Sequence, residues 1–326
     1  MDSIRRCLAT GALAALVLPW VAHAQAPYPS KPIVVIRPTA PGGSDGPLQI
    51  IAQQVSSQLK QSVVYDSRPG AGGNIAAMAV KQAAPDGYTL FLGHPGPLAI
   101  NHSLFAALPY DPIKDFEPII MLTSYPLIML VPTSSSAKTV QELLAAGKGK
   151  PGGLSFGSPG IGTTTHLIGE MIKVQSGVPM QHVAYKGASP ALLDLVGGRL
   201  DFFMTGYSSA AAFLKDGRLR ALAVTSERRS PQMPTVPTLT EAGLNDLTFG
   251  NWQGLVAPAG TPRPVIERLN TEFARAMQSD EARKIAATLA LDPPQAMSPE
   301  QFGAIIKTDA ERFAKAIKAS GARAAD

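Results

Sequence analysis

Short apolar runs, many of them β-branched, alternate with amphipathic segments along most of this chain. Ile33-Val34-Val35-Ile36 is a continuous apolar run and is expected to be a strand buried on both faces. Leu48, Ile51, Ala52, Val55 and Leu59 then recur at helical spacing along one face. Val63-Val64-Tyr65 reads as a second strand, residues 74–84 as a second helix and Thr89-Leu90-Phe91-Leu92 as a third strand. This βαβαβ order predicts a parallel sheet with right-handed crossovers.

The pattern restarts after Val131-Pro132. Thr139-Val140-Gln141-Glu142 has the spacing of a capping box and opens a helix. A strand at 154–156, a helix at 167–175, a strand at 182–185 and a helix at 189–196 follow. The alternation continues with a strand at 201–204, a helix at 208–215 and a strand at 219–224. Residues 229–245 are rich in Pro and Thr and read as a loop with a short helix at 238–242. A strand at 252–257 precedes a helix running from Thr261-Pro262 to about Ser279. Ser298-Pro299-Glu300-Gln301 caps the last helix, with Pro at its first position. Phe302, Ile305, Ile306, Phe313 and Ile317 share one face of it, and its lysines and Arg312 are expected on the solvated face.

The arrangement these elements favour is two α/β units, with the second inserted before a C-terminal return to the first. The expected boundaries are 25–131 plus 251–326 for one lobe and 132–250 for the other. Two crossing segments would join the lobes, with a ligand cleft between them that closes by hinge motion.

Residues 1–24 are set aside as a leader. Arg5 and Arg6 precede a mostly apolar stretch from Cys7 to Val21, and Ala22-His23-Ala24 is an A-x-A cleavage signal. Cleavage after Ala24 predicts an exported chain starting at Gln25, outside the cytoplasm. The single cysteine, Cys7, leaves with the leader, so no disulfide, thiolate metal site or cysteine nucleophile is expected. Loss of Asp2, Arg5 and Arg6 takes the net charge from +5 to +4. That mild positive charge draws anions but does not point to nucleic acid.

Catalytic candidates fare poorly. Gly153-Leu154-Ser155-Phe156-Gly157 matches G-x-S-x-G, but a loop precedes it and Ser155 falls within the expected strand rather than at an elbow. A secreted hydrolase built on Ser155 therefore stays a minor alternative. His166 and Glu170 have a helical ligand spacing, yet no segment supplies a third metal ligand, and His166 reads better as a hydrogen-bonding residue at a helix start. No metal and no cofactor are expected, and no nucleotide motif is present.

Two glycine-rich turns that run into helices carry the chemistry instead. They are Pro41-Gly42-Gly43-Ser44-Asp45 and Ser158-Pro159-Gly160-Ile161-Gly162-Thr163-Thr164-Thr165-His166. Free N–H groups and the dipole at a helix start bind anions without a basic side chain, and glycine lets the backbone come close. Thr163 to Thr165 add hydroxyls that donate or accept. The pair reads as a clamp for a small carboxylate.

Several segments then carry a family resemblance, in order along the chain. They include Tyr28-Pro29-Ser30-Lys31-Pro32-Ile33, Arg68-Pro69-Gly70-Ala71-Gly72-Gly73-Asn74 and Ala84-Pro85-Asp86-Gly87-Tyr88-Thr89-Leu90. Leu108-Pro109-Tyr110-Asp111-Pro112, His182-Val183-Ala184-Tyr185-Lys186-Gly187, Arg220 to Ser226 and Ala257-Pro258-Ala259-Gly260-Thr261-Pro262 continue it. The chain resembles the Bug-type periplasmic receptors of tripartite tricarboxylate transporters.

The resemblance implies a two-lobed Venus-flytrap fold that captures a small organic carboxylate. The captured acid would be presented to membrane transporter subunits or, alternatively, to a membrane signalling protein, by a monomer without enzymatic activity. It places ligand contacts at Gly42, Gly43, Ser44 and Asp45 on one lobe. On the other it places them at Ser158, Gly162, Thr163, Thr164, Tyr185, Lys186, Thr205 and Tyr207.

Two departures are visible. The stretch between Gly43 and Arg68 is shorter than the family pattern, so matching Asp45 requires a gap. Thr205-Gly206-Tyr207 stands where many members carry an acidic residue, which disfavours an amino-acid ammonium. Tyr207 and Phe203 favour a flat or aromatic acid, with Tyr207 as plain cleft packing the other reading.

Overall fold

The computed structural model describes residues 28–39, 46–289, 291–292 and 296–321. The expected leader at 1–24 and the first glycine turn, with Gly42, Gly43, Ser44 and Asp45, lie outside the described residues.

The first unit runs β1 (Ile33–Arg37), α1 (Gly46–Leu59), β2 (Val63–Ser67), α2 (Asn74–Lys81) and β3 (Thr89–Gly93). A π-helical turn (Gly96–Ile100) then leads into the short α3 (Asn101–Leu104) and β4 (Phe116–Pro126). The second unit comprises β5 (Ile128–Pro132), α4 (Val140–Gly149), β6 (Leu154–Ser158), α5 (Thr164–Ser176) and β7 (Met180–Ala184). It continues with α6 (Ala188–Val196), β8 (Phe202–Thr205), α7 (Tyr207–Lys215) and β9 (Leu219–Val224). The chain returns through β10 (Gly250–Pro258), α8 (Arg263–Met277), α9 (Asp280–Thr288) and α10 (Pro299–Ser320).

The two sheets have the same plan, β2-β1-β3-β10-β4 and β7-β6-β8-β5-β9. In each, three parallel strands are extended by an antiparallel one, β10 beside β3 and β5 beside β8. The sheets are thus mixed rather than purely parallel, because a strand arriving through the crossing runs opposite to its neighbour. The chain changes sheet at Leu127. β5 belongs to the second sheet, so the crossing precedes the boundary expected at 131/132.

Local chemistry explains other differences. Glu142 N–H donates to Thr139 Oγ1 at 3.1 Å, but the Glu142 carboxylate accepts from Lys138 N–H at 2.6 Å rather than from Thr139. The helix expected at 238–242 is only a turn, closed by Ala242 N–H to Thr238 O at 3.0 Å and ended by Gly243 at φ +79°. Ser279, expected as a helix end, instead caps α9 by accepting from Ala282 N–H at 3.2 Å. The capping box at Ser298 and Gln301 is complete.

The C-terminal helix joins the cores of both lobes. Phe302 and Ile306 pack with Trp252 and Phe91 in the first unit. Phe313, Ala316 and Ile317 pack with Phe156, Phe202 and Phe249 in the second. Ala99, Ile100 and Leu104 also enter this second core. Arg312, expected on the solvated face, donates to Thr248 O at 2.6 Å and lies over the Phe249 ring at 5.0 Å. The two crossing segments are therefore supplemented by a helix shared between the lobes.

Candidate functional site

In open α/β sheets ligands bind beyond the carboxyl ends of the parallel strands. In the second lobe β6, β7 and β8 end at Ser158, Ala184 and Thr205, and each feeds a helix: α5, α6 and α7. Thr163 to Thr165, Gly187 to Pro190 and Thr205, Gly206 and Ser209 line one cleft of about 440 Å3, so the three helix starts converge on it. The opposite wall comes from the first lobe and the crossing strands: Thr39, His94, Tyr125, Leu127, Asn251 and Gln253.

The first amides of α5 are poised for an anion. Thr163 Oγ1 caps the helix by accepting from His166 N–H at 3.4 Å and itself donates to Gly160 O at 2.7 Å. Thr164 and Thr165 N–H have no protein acceptor among the described residues, as expected of a helix start. Thr164 Oγ1 donates to Asn251 Oδ1 at 3.3 Å, and Asn251 Nδ2 donates to Tyr125 Oη at 2.7 Å. This relay links α5 to both crossing strands. Gly206 packs against the Tyr125 ring so closely that a Cβ there would lie 2.8 Å from it.

Lys186 is the only formally charged side chain lining the cleft, and no carboxylate lines it among the described residues. His94 is neutral, since burial pushes its pKa down to about 4. A larger groove of about 970 Å3 shares Tyr125 with the cleft but carries both charge signs, in Glu227, Asp292, Arg228, Arg229 and Arg283. Arg229 is paired there with Glu241 at 2.9 Å. The smaller cleft has the coherent electrostatics.

The residues expected from sequence divide in two. Thr163, Thr164, Lys186 and Thr205 line the cleft. Ser158, Gly162, Tyr185 and Tyr207 do not line it; they shape or pack beside it. Ser158 is fully buried, contacts His182 Nε2 at 2.6 Å, donates to Gly160 O at 2.9 Å and accepts from Gly160 N–H at 3.1 Å. Gly162 adopts φ +80°, its N–H donates to His166 Nδ1 at 3.4 Å, and a Cβ there would fall 2.3 Å from Asn101 Oδ1 of the first lobe. Tyr185 donates to Asp194 Oδ2 at 2.8 Å, and burial followed by the Asp194 contact pushes its pKa up to about 12. Tyr207 packs in an apolar cluster with Met233 and Val236.

His166 and His182 stack with ring centres 4.2 Å apart behind the second glycine turn. Burial first, and then each other's company and Lys173, hold His182 down to about 3. Burial also lowers His166, with Glu170 acting in the opposite direction. Among the described residues no carboxylate hydrogen-bonds His182, so the Ser158–His182 contact lacks the third member of a nucleophilic triad there. Ser155, the other serine candidate, donates to Asp201 Oδ2 at 2.9 Å from within β6. No group of three metal-binding side chains occurs among the described residues.

His94, Tyr125, Asn251 and Gln253 were not anticipated. His94 alone carried a usable signal, since it directly follows the strand ending at Gly93, at the carboxyl edge where ligands bind.

Known proteins share this architecture. Residues 48–322 match the model of the tripartite tricarboxylate transporter family receptor. Protein BugT of Bordetella pertussis (strain Tohama I) is 33% identical over 298 residues, covering 91% of each chain. The structure of R. palustris Rpa4515 with adipate is 32% identical and superposes with a TM-score of 0.85, covering 90% of this chain and 98% of that one. MatC (Rpa3494) from Rhodopseudomonas palustris with bound malate is 30% identical, with a TM-score of 0.84 and coverage of 89% and 100%. With its two-lobed fold and a cleft between the lobes, this chain belongs to the tripartite tricarboxylate transporter receptor family, the Bug-type solute-binding proteins.

Proposed function

We propose that this protein is a periplasmic receptor that captures a small organic carboxylate between its lobes and hands it to a membrane transporter. The observation that carries the reading is the convergence of three helix starts on a cleft whose only formal charge among the described residues is Lys186. Each helix start contributes partial positive charge and free N–H groups, so their sum favours a carboxylate without locking it to an arginine fork. Such a ligand binds firmly enough to be carried and loosely enough to be released.

Leu127, Leu192, Leu193 and Phe213 supply an apolar flank for the carbon skeleton. The relay from Thr164 through Asn251 to Tyr125 connects the ligand-binding helix to the crossing strands. Ligand seated on α5 therefore bears on the hinge, and its differential contact with the closed form draws the lobes together. Adipate and malate, found in the two similar structures, define the ligand class to test first.

Thermal denaturation against a panel of mono-, di- and tricarboxylates tests this reading. At least one acid should raise the midpoint, and Lys186→Ala should reduce the rise. A panel that leaves the midpoint unchanged throughout would contradict it.

A further inference from the structure

We propose that His94 and Gln253 form a donor-only subsite in the cleft, which requires an oxygen acceptor on the ligand and rejects an ammonium group. The proposal rests on the carboxylate reading above and narrows the class of acid.

The two residues adjoin one strand pair. In the antiparallel pairing of β3 with β10 the ladder ends at Gly93 opposite Gly254, and His94 and Gln253 are the next residues beyond that pair. Both line the cleft.

Their hydrogen-bond polarity is fixed from behind. Gly96 N–H donates to His94 Nδ1 at 3.0 Å. A neutral imidazole has one accepting and one donating nitrogen, so its proton is on Nε2. Gln253 Oε1 accepts from Thr123 Oγ1 at 3.3 Å, which leaves the amide NH2 for the cleft. Neither Nε2 has a protein acceptor among the described residues. Asn251, beside them, is already used on both sides of its amide, by Thr164 and Tyr125.

An acceptor oxygen, whether keto, hydroxyl or carboxylate, satisfies both free donors. An ammonium in the same place leaves them unpaired, meets no carboxylate among the described lining residues, and shares the cleft with Lys186. The wall thus adds a chemical criterion to the anion preference of the helix starts: the acid is an oxo, hydroxy or further carboxylated acid, not an amino acid.

Calorimetric titration with three matched pairs tests this: malate and aspartate, 2-oxoglutarate and glutamate, phenylpyruvate and phenylalanine. Within any pair that binds, the oxygen-bearing member should bind on the order of tenfold to a hundredfold more tightly. Gln253→Leu and His94→Phe should each shrink that preference, with circular dichroism confirming the fold; Gln253→Leu suffices if His94→Phe does not fold. Nitrogen-15 NMR of the wild type should show His94 protonated on Nε2. Equal binding of an ammonium-bearing partner, or a proton on Nδ1, would overturn the subsite and leave the carboxylate reading standing. If none of the six binds, an acid of the wider panel that raises the melting midpoint is compared with its 2-amino analogue and decides the subsite in the same way; silence from the whole panel would overturn the carboxylate reading and the subsite with it.

Discussion

Leu127 and Thr225 exchange two hydrogen bonds where the chain crosses between lobes. Leu127 N–H donates to Thr225 Oγ1 and Thr225 N–H to Leu127 O, both at 2.9 Å. The same hydroxyl donates to Phe249 O at 2.6 Å, on the approach to the returning strand β10. One buried threonine therefore ties both crossing segments together. Thr225→Val keeps the shape but leaves Leu127 N–H and Phe249 O without their partner. Urea denaturation should show a loss of about 1–3 kcal/mol, and unchanged stability would show that the hydroxyl does not secure the crossing.

Helix α10 makes a prediction about cooperativity. Phe313 is buried in the second core and stacks on Phe249 with ring centres 4.8 Å apart, while Phe302 on the same helix packs edge-on against Trp252 of the first core. Truncation by Phe313→Ala should cost about 3–5 kcal/mol. Trp252, whose indole donates to Asp309 Oδ2 at 2.8 Å, reports the first lobe from a distance. Its fluorescence and the far-ultraviolet circular dichroism should lose structure at the same urea concentration. Two separated transitions would show that the lobes unfold independently.

Gly162 tests the contact between lobes. A Cβ at φ +80° is strained, and it would meet Asn101 Oδ1 at 2.3 Å. Gly162→Ala should destabilise the protein by about 2 kcal/mol or more and weaken ligand binding, because it displaces the turn that starts α5. A variant with wild-type melting and affinity would remove this contact from the account.

The histidines set an acid limit. His94 and His182 are held below the ordinary 6.5, to about 4 and about 3, because burial disfavours the charged rings. The unfolded chain binds protons near pH 6.5, while the folded chain resists them until far lower. Their contribution is complete above pH 6.5 and is lost as pH falls toward 4. Lowered carboxylates such as Glu300 act only below about 4.5, and Asp309, whose carboxyl burial pushes up, acts in the opposite direction, so a fall in stability between 6.5 and 4.5 comes from the histidines. Unfolding free energy should fall across that window, and less steeply in His182→Phe. A flat profile in the wild type would contradict the buried neutral rings.

Most of the fold was legible because each lobe repeats short apolar strands and capped helices whose signals are local. Ser298 and the run at Ile33 announce their elements within a few residues, while α5, read from 167, begins at Thr164 because Thr163 caps it. Strand direction was not legible in the same way. β5 and β10 run antiparallel because each arrives through the crossing, a fact of chain path that no local pattern records. The cleft splits along the same line. Thr163, Thr164, Lys186 and Thr205 follow strand ends within the second lobe and were readable there. Tyr125 lies on β4, for which no strand was read, and Asn251 just ahead of the strand read at 252–257; both gain a role only when β4 and β10 pair and Thr164 of α5 reaches Asn251. Tyr207 illustrates the reverse, since its position beside the cleft was readable but its packing against the apolar cluster that Met233 and Val236 also join was not.

The central claim, that the cleft holds a small organic carboxylate, is tested most directly by a native mass spectrum of the protein purified without refolding. The account predicts a species heavier than the bare chain by the mass of one small acid, lost on denaturation and reduced in Lys186→Ala. A spectrum of bare chain alone, unchanged after incubation with malate, adipate and the wider carboxylate panel, would contradict it.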